Sequence, residues 1–106
     1  MISEFVHLHN HSDYSLLDGA QKIDQLVNTI DDLNMDAVAL TEHGNMFSVL
    51  PYYKQAKKAG IKPIIGCEIY VAVGSRFEKK TRSDGGWGNN HLILLAQNFT
   101  GYKNLM

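Results

Sequence analysis

The chain has 106 residues, 44% of them hydrophobic and 20% charged, with a net charge of −1 and one cysteine. That size holds at most one small domain, and the balance is that of a globular fold, which excludes a disordered or fibrous chain. Cys67 alone excludes an intrachain disulfide and any Cys-x-x-Cys site, so a metal here must use His, Asp or Glu. No apolar run reaches the roughly 20 residues of a bilayer span and Met1–Glu4 lacks a secretory profile, so a cytoplasmic location and no membrane contact are expected. Near-neutral charge gives no global attraction to nucleic acid; contact with DNA has to come from local patches or from other parts of the protein.

The first element is Phe5-Val-His-Leu-His-Asn-His-Ser12, three histidines at two-residue intervals in an apolar, β-prone run. On a strand, alternation puts all three on one side, roughly 6.6 Å apart at the backbone. Imidazoles so placed can converge on one ion or reach two neighbouring ones, each keeping a ring nitrogen for an orienting partner. The plainer reading is a strand whose polar face meets water. Asp18-Gly19 signals a turn. Ile23, Leu26, Val27, Ile30 and Leu33 then recur at helical spacing opposite Lys22, Asp24, Gln25, Asp31 and Asp32, which predicts an amphipathic helix over 20–34. The apolar run 36–41 predicts a buried parallel strand that delivers Thr41-Glu42-His43-Gly44 at its C-terminal end. A second helix is predicted from Asn45 or Ser48 to Ala59, with Pro51 in its first turn and Gly60 as its left-handed stop. Val49, Tyr52, Tyr53 and Ala56 form its core face, and Lys54, Lys57 and Lys58 its solvated one.

Residues 61–73 read as a third, buried strand carrying one acid, Glu68. Burying an unpaired carboxylate costs several kcal/mol, so Glu68 must be ion-paired, protonated or metal-bound, and the available histidines favour metal. Cys67, facing the other way, is expected in the core. Residues 74–90 are polar and rich in glycine and cations, and are expected to be the most mobile internal segment. Gly85-Gly86-Trp87-Gly88 matches no phosphate loop. Arg76, Lys79, Lys80 and Arg82, with Phe77 and Trp87 as stacking faces, could meet a phosphate backbone, although a solvated hairpin is the plainer reading. His91–Ala96 predicts a fourth strand, and Thr100 the N-cap of a helix running towards Met106.

This order predicts an α/β fold of β-α-β units on a parallel sheet, with chemistry at the C-terminal ends of the strands. His9, His11, Asp18, His43 and Glu68 come from three successive strand ends and are expected to converge. His91 opens its run instead of closing it and does not follow that rule.

The segments Phe5–Ser12, Tyr14–Gly19, Ala39–Asn45, Gly60–Glu68, His91–Ala96 and Thr100–Leu105 together resemble the PHP (polymerase and histidinol phosphatase) family, in the form that begins the alpha subunit of bacterial DNA polymerase III. The resemblance covers essentially the whole chain. Its first two segments suggest the wider family; those at 60–68 and 100–105 look specific to the replicative polymerase. It implies a distorted (β/α)7 TIM-like barrel, of which residues 1–106 are the N-terminal portion, with the rest of the barrel and the polymerase domains absent. It also implies a di- or trinuclear centre of zinc or manganese held by His9, His11, Asp18, His43, Glu68 and His91. Glu42 stands where an Asp is more usual and is a candidate to support the ligands; His7, outside the motif, is read as structural.

The parent protein so implied is a DNA-directed DNA polymerase of DNA replication, partnered by DNA, the sliding clamp and a proofreading subunit. The PHP portion would contribute 3′–5′ exonuclease or phosphoesterase chemistry through a metal-activated water, or act as scaffold. The alternative is a free-standing PHP-type phosphatase, histidinol-phosphatase-like, or an amidohydrolase-like metal hydrolase. No late Asp-x-His follows, so the chain is read as a fragment that self-associates through an unpaired strand edge and is inactive alone.

Overall fold

Ile23, Leu26, Val27 and Ile30 come round on one face of a helix, α1 (Ile23–Asp32), and all four are buried. A helix of ten residues is marginal in water by itself, so its stability comes from this buried stripe, each side chain worth about 1.5–3 kcal/mol. The stripe packs on Val38 and Leu40 of β1 (Ala37–His43), together with Tyr52 and Ala56 of α2 (Val49–Lys58) and Ile61. β2 (Lys62–Val71), β3 (Asn90–Leu95) and α3 (Phe99–Leu105) complete the chain order in this computed structural model, which describes residues 3–78 and 89–106. The result is a mixed α/β fold whose sheet has the order β1-β2-β3. β1 and β2 are parallel, with Ala37 opposite Lys62 and His43 opposite Glu68.

Several expectations need correction. Residues 5–11 are extended but form no regular strand. The Ala39 amide donates to the His7 carbonyl at 2.9 Å and the Thr41 amide to that of Asn10 at 2.8 Å, so two residues of β1 span three of the segment. The mismatch is filled by side chains: Asn10 Nδ2 donates to the Ala39 carbonyl at 2.9 Å, and Thr41 Oγ1 accepts from the Asn10 amide at 3.1 Å. α1 starts later than residue 20 because Gln21 is held by the preceding turn, its carbonyl accepting from the Asp13 amide. It stops before 34 because Asn34 turns left-handed (φ 54°), which leaves Leu33 half exposed. In α2, Tyr52 and Ala56 are buried but Tyr53, one helical step round, is 48% exposed. Gly60 takes the expected left-handed stop, at φ 77°.

The largest correction concerns direction. β3 pairs with β2 antiparallel, not parallel. A parallel return needs a crossover, usually a helix, and the sequence over 72–89 has no helical apolar pattern to supply one. β3 is also less covered than its composition suggested, with Leu92, Leu94 and Leu95 all exposed. Asn98, not Thr100, caps α3, its Oδ1 accepting from the Gly101 amide at 3.0 Å. The mobility expected of 74–90 and the roles of Lys79, Lys80, Arg82 and Trp87 fall largely or wholly outside the described residues.

Candidate metal centre

Residues paired across a sheet share a face. The register therefore projects His43, Glu68 and His91 from one side: His43 faces Glu68 across β1 and β2, and His91 faces Tyr70, two residues on from Glu68, across β2 and β3. This is the side opposite the α1–α2 core, since Val38 and Leu40 alternate with Thr41 and His43. The reversal of β3 accounts for His91, because the opening end of an antiparallel strand lies beside the closing ends of its neighbours. The extended segment 5–11 brings His9 and His11 to the same place, while His7 stays exposed against Phe5.

Glu68, 5% exposed, is the centre. His9 Nε2 lies 3.1 Å and His11 Nε2 2.9 Å from its Oε2, and those two nitrogens are 3.1 Å from each other. His43 Nδ1 is 3.3 Å from the same oxygen, and His91 Nδ1 is 2.8 Å from Oε1. Asp18 joins through His43, whose Nε2 it contacts. It is delivered by a tight turn in which the Asp18 and Gly19 amides both donate to the Ser15 carbonyl. Leu17 in that turn is left-handed (φ 72°), and at Gly19 any Cβ would collide with the Ser12 carbonyl oxygen, so the turn closes only on glycine. All six predicted residues thus lie in one cluster, His9, His11 and Glu68 as one triad and His43, Glu68 and His91 as another.

The electrostatics suit a cation. Burial, reinforced by His43 close by, pushes the His11 imidazole below its ordinary value. Burial alone would raise Glu68, but hydrogen bonds from His91 and His9 and the nearby rings of His43 and His11 outweigh it, and the carboxyl sits below its usual value as an anion. The donor atoms of His9, His11 and Glu68 form a triangle with edges of 2.9–3.1 Å. Four ligands at about 2.0–2.1 Å from a tetrahedral zinc stand about 3.3 Å apart, close to these edges. The buried Nδ1 of His11 has no hydrogen-bond partner and that of His43 has only its 3.3 Å ion-pair contact with Glu68, while the two rings stack at 4.0 Å. Protons alone satisfy this crowd poorly, and a divalent ion fits it.

Glu42 lies on the other face of β1 and touches none of these groups. It is 1% exposed, and its oxygens accept from the Ser12 amide (3.0 Å), from Ser48 Oγ (3.1 Å) and from the hydroxyls of Ser12 and Ser15. Ser12 adjoins His11, and Ser15 Oγ accepts from the His43 amide at 2.9 Å, so Glu42 braces two of the clustered histidines from behind. Sequence reasoning missed the serines; the signal was a buried acid with hydroxyls just after the histidine pair. Cys67 faces this side as expected, its Sγ 3.5 Å from the Glu42 carbonyl, and burial raises its thiol.

A family model described as the PHP domain matches residues 7–106. DNA polymerase III subunit alpha of Borreliella burgdorferi is 58% identical over 104 residues, 98% of this chain and 9% of the relative. The subunit of the same name from Treponema pallidum is 55% identical over 96% of this chain and 9% of the relative, and that from Aquifex aeolicus 48% over 100% and 10%. The chain therefore spans about a tenth of the length of these curated relatives. Among solved structures, an amidohydrolase from Chromobacterium violaceum superposes with a TM-score of 0.65 at 22% identity, over 94% of this chain and 31% of that one. A protein from Bifidobacterium adolescentis assigned as a metal-dependent phosphoesterase gives 0.65 at 16%, over 99% and 33%. These two likenesses bear on fold alone.

Proposed function

The chain belongs to the PHP domain family, and from that premise we propose that residues 1–106 are the N-terminal portion of a metal-binding, phosphodiester-cleaving PHP domain at the start of a bacterial replicative DNA polymerase alpha subunit. The observation that carries the chemistry is the set of four imidazoles turned on one buried carboxylate, with Asp18 behind His43. His9, His11, Asp18, His43, Glu68 and His91 would hold zinc or manganese, two or three ions in the complete domain. Bound there, such ions would supply Lewis-acid chemistry, activating a water and stabilising charge at phosphate oxygens. The chain's own part is positional. Glu68 gathers the imidazoles, Asp18 orients His43, and Glu42 fixes the backbones at Ser12 and His43 through its serines.

Near-complete coverage of this chain by polymerase subunits at 48–58% identity supports the polymerase over a free-standing hydrolase. The distorted (β/α)7 barrel is supported by the hydrolase likenesses, each about three times the length of this chain. Leu92 and Leu94 are exposed on one face of β3 and Leu95 on the other, with Phe99 exposed on α3; in the proposed barrel further units cover this apolar surface, and left uncovered it favours self-association. DNA, the sliding clamp and the proofreading subunit are the partners of the whole protein, in the cytoplasm. Within the described residues no helix is long and apolar enough to cross a membrane.

Metal analysis with a nuclease assay on the complete domain tests this reading. Wild type is expected to hold zinc or manganese and release 3′-terminal nucleotides, with His9→Ala and Asp18→Asn losing both. A wild-type domain that takes up neither metal on reconstitution overturns it.

A further inference from the structure

Beside the cluster runs a cleft of about 480 Å³, sharing His43 with it and walled by Tyr14, Leu16, Phe47 and Tyr70. Its volume lies within the range of about 300–1,000 Å³ usual for small-molecule sites. The aromatic walls are open to solvent, Phe47 at 76% exposure and Tyr70 at 50%. One exposed phenylalanine means little. Three aromatic faces around one cleft that adjoins six clustered acids and imidazoles is a different matter. Tyr70 is held in place: its ring stands edge-on to His91, 5.0 Å between centroids, and lies over Gly44. Gly44 is left-handed (φ 61°), and a Cβ there would come within 2.7 Å of the ring, so this glycine makes room for the tyrosine.

Charge decides what the cleft takes. Its described lining contains no lysine or arginine but does contain Asp13, so it is a poor seat for phosphate and a good one for a flat, uncharged ring. On the proposed reading of the cluster, a phosphodiester bound at its residues would have its attached nucleoside beside His43, which also lines this cleft. We propose that Tyr14, Phe47 and Tyr70 form a stacking subsite for the terminal nucleobase of a single-stranded nucleic acid whose phosphodiester lies at the metal cluster. Stacking tolerates every base, because each has a π-face, so the subsite selects strand ends over other phosphodiesters without selecting sequence.

The inference rests on the phosphodiester reading, and two measurements on the full-length protein separate the two. First, a single strand ending in 5-iodouracil is irradiated on the protein and the cross-linked peptide mapped; attachment at Tyr14, Phe47 or Tyr70 is expected. Second, KM is compared for strands ending in a normal nucleotide and in an abasic residue. Wild type should prefer the normal end by about tenfold, Phe47→Ala should lose that preference with kcat retained, and Phe47→Trp should restore it. Phe47 is the residue to change because its side chain is largely solvated and its removal leaves the core intact. Cross-linking at these residues without cleavage by wild type sustains the subsite and refutes the hydrolytic reading. Cleavage that ignores the terminal base in wild type and Phe47→Ala alike, or cross-links confined to other residues, overturns the subsite and leaves the hydrolytic reading standing.

Discussion

Glu42 and Glu68 sit on adjoining strands and are almost equally buried, at 1% and 5% exposure, yet they are solved by opposite chemistries. Glu42 is enclosed by the hydroxyls of Ser12, Ser15 and Ser48 and the Ser12 amide, all of them neutral donors. Glu68 is enclosed by imidazoles from distant segments. A hydroxyl hydrogen given to a carboxylate closes the account of both groups. An imidazole can give a hydrogen or, once neutral, present a lone pair, so the shell around Glu68 can exchange protons for a cation and the shell around Glu42 cannot. Burial of an acid is therefore no sign of a site by itself; the partners decide.

Removing each acid should break this comparison in different ways. Glu42→Ala leaves the serine donors buried without an acceptor and is expected to cost about 3–5 kcal/mol of unfolding free energy in the complete domain, read by denaturant titration. Glu42→Gln, which keeps an acceptor oxygen, should lose less than half of that. For Glu68→Gln the expected loss is in metal affinity, more than about 100-fold by chelator competition, with the metal-free melting temperature within about 5 °C of wild type. Equal stability losses for Glu42→Ala and Glu68→Gln would erase the distinction.

Metal addition sharpens it. At one hundred times its dissociation constant, an ion that binds only the folded state adds about 2.7 kcal/mol. Wild type and Glu42→Gln should both show this rise in thermal scans, and Glu68→Gln should not; stripping the metal with a chelator should return wild type to its metal-free midpoint.

The smallest effect lies on Glu42's side of the sheet. Tyr52 is buried there and its hydroxyl donates to the Val38 carbonyl; burial pushes the phenol well up, only partly offset by the Ile64 backbone. A raised folded value means that the unfolded chain releases its proton first, so stability is intact below pH about 10 and falls above it, by up to about 1.4 kcal/mol per pH unit. Tyr52→Phe should cost about 1 kcal/mol at neutral pH and flatten that alkaline fall, while Glu68→Gln leaves it unchanged.

What could be read in advance divides along the same line. The α1 stripe was legible because Ile23, Leu26, Val27 and Ile30 repeat with the helix itself, and the cluster was legible from the histidine spacing and the lone acid in an apolar strand. The direction of β3 was not, because a continuous apolar run has no arrow; direction comes from the connection before it. Nor was the irregular first segment, where the Asn10 and Thr41 side chains stand in for backbone hydrogen bonds that a period-two pattern takes for granted. Leu33 and Tyr53 were placed inside by helical spacing, but the bend at Asn34 and a single helical step turned them out.

The sequence distances within the cluster also order its assembly on the ribosome. Glu68 is separated from His9 by 59 positions and from His91 by 23, with His9, His11 and His43 all upstream. When Glu68 leaves the exit tunnel, three of its four imidazole partners are already outside. At about 5–20 residues per second, His91 follows about 1–5 s later. The triangle of His9, His11 and Glu68 can thus close on a nascent chain that still lacks β3. β3 then docks against residues already gathered, with Glu68 Oε1 waiting for His91.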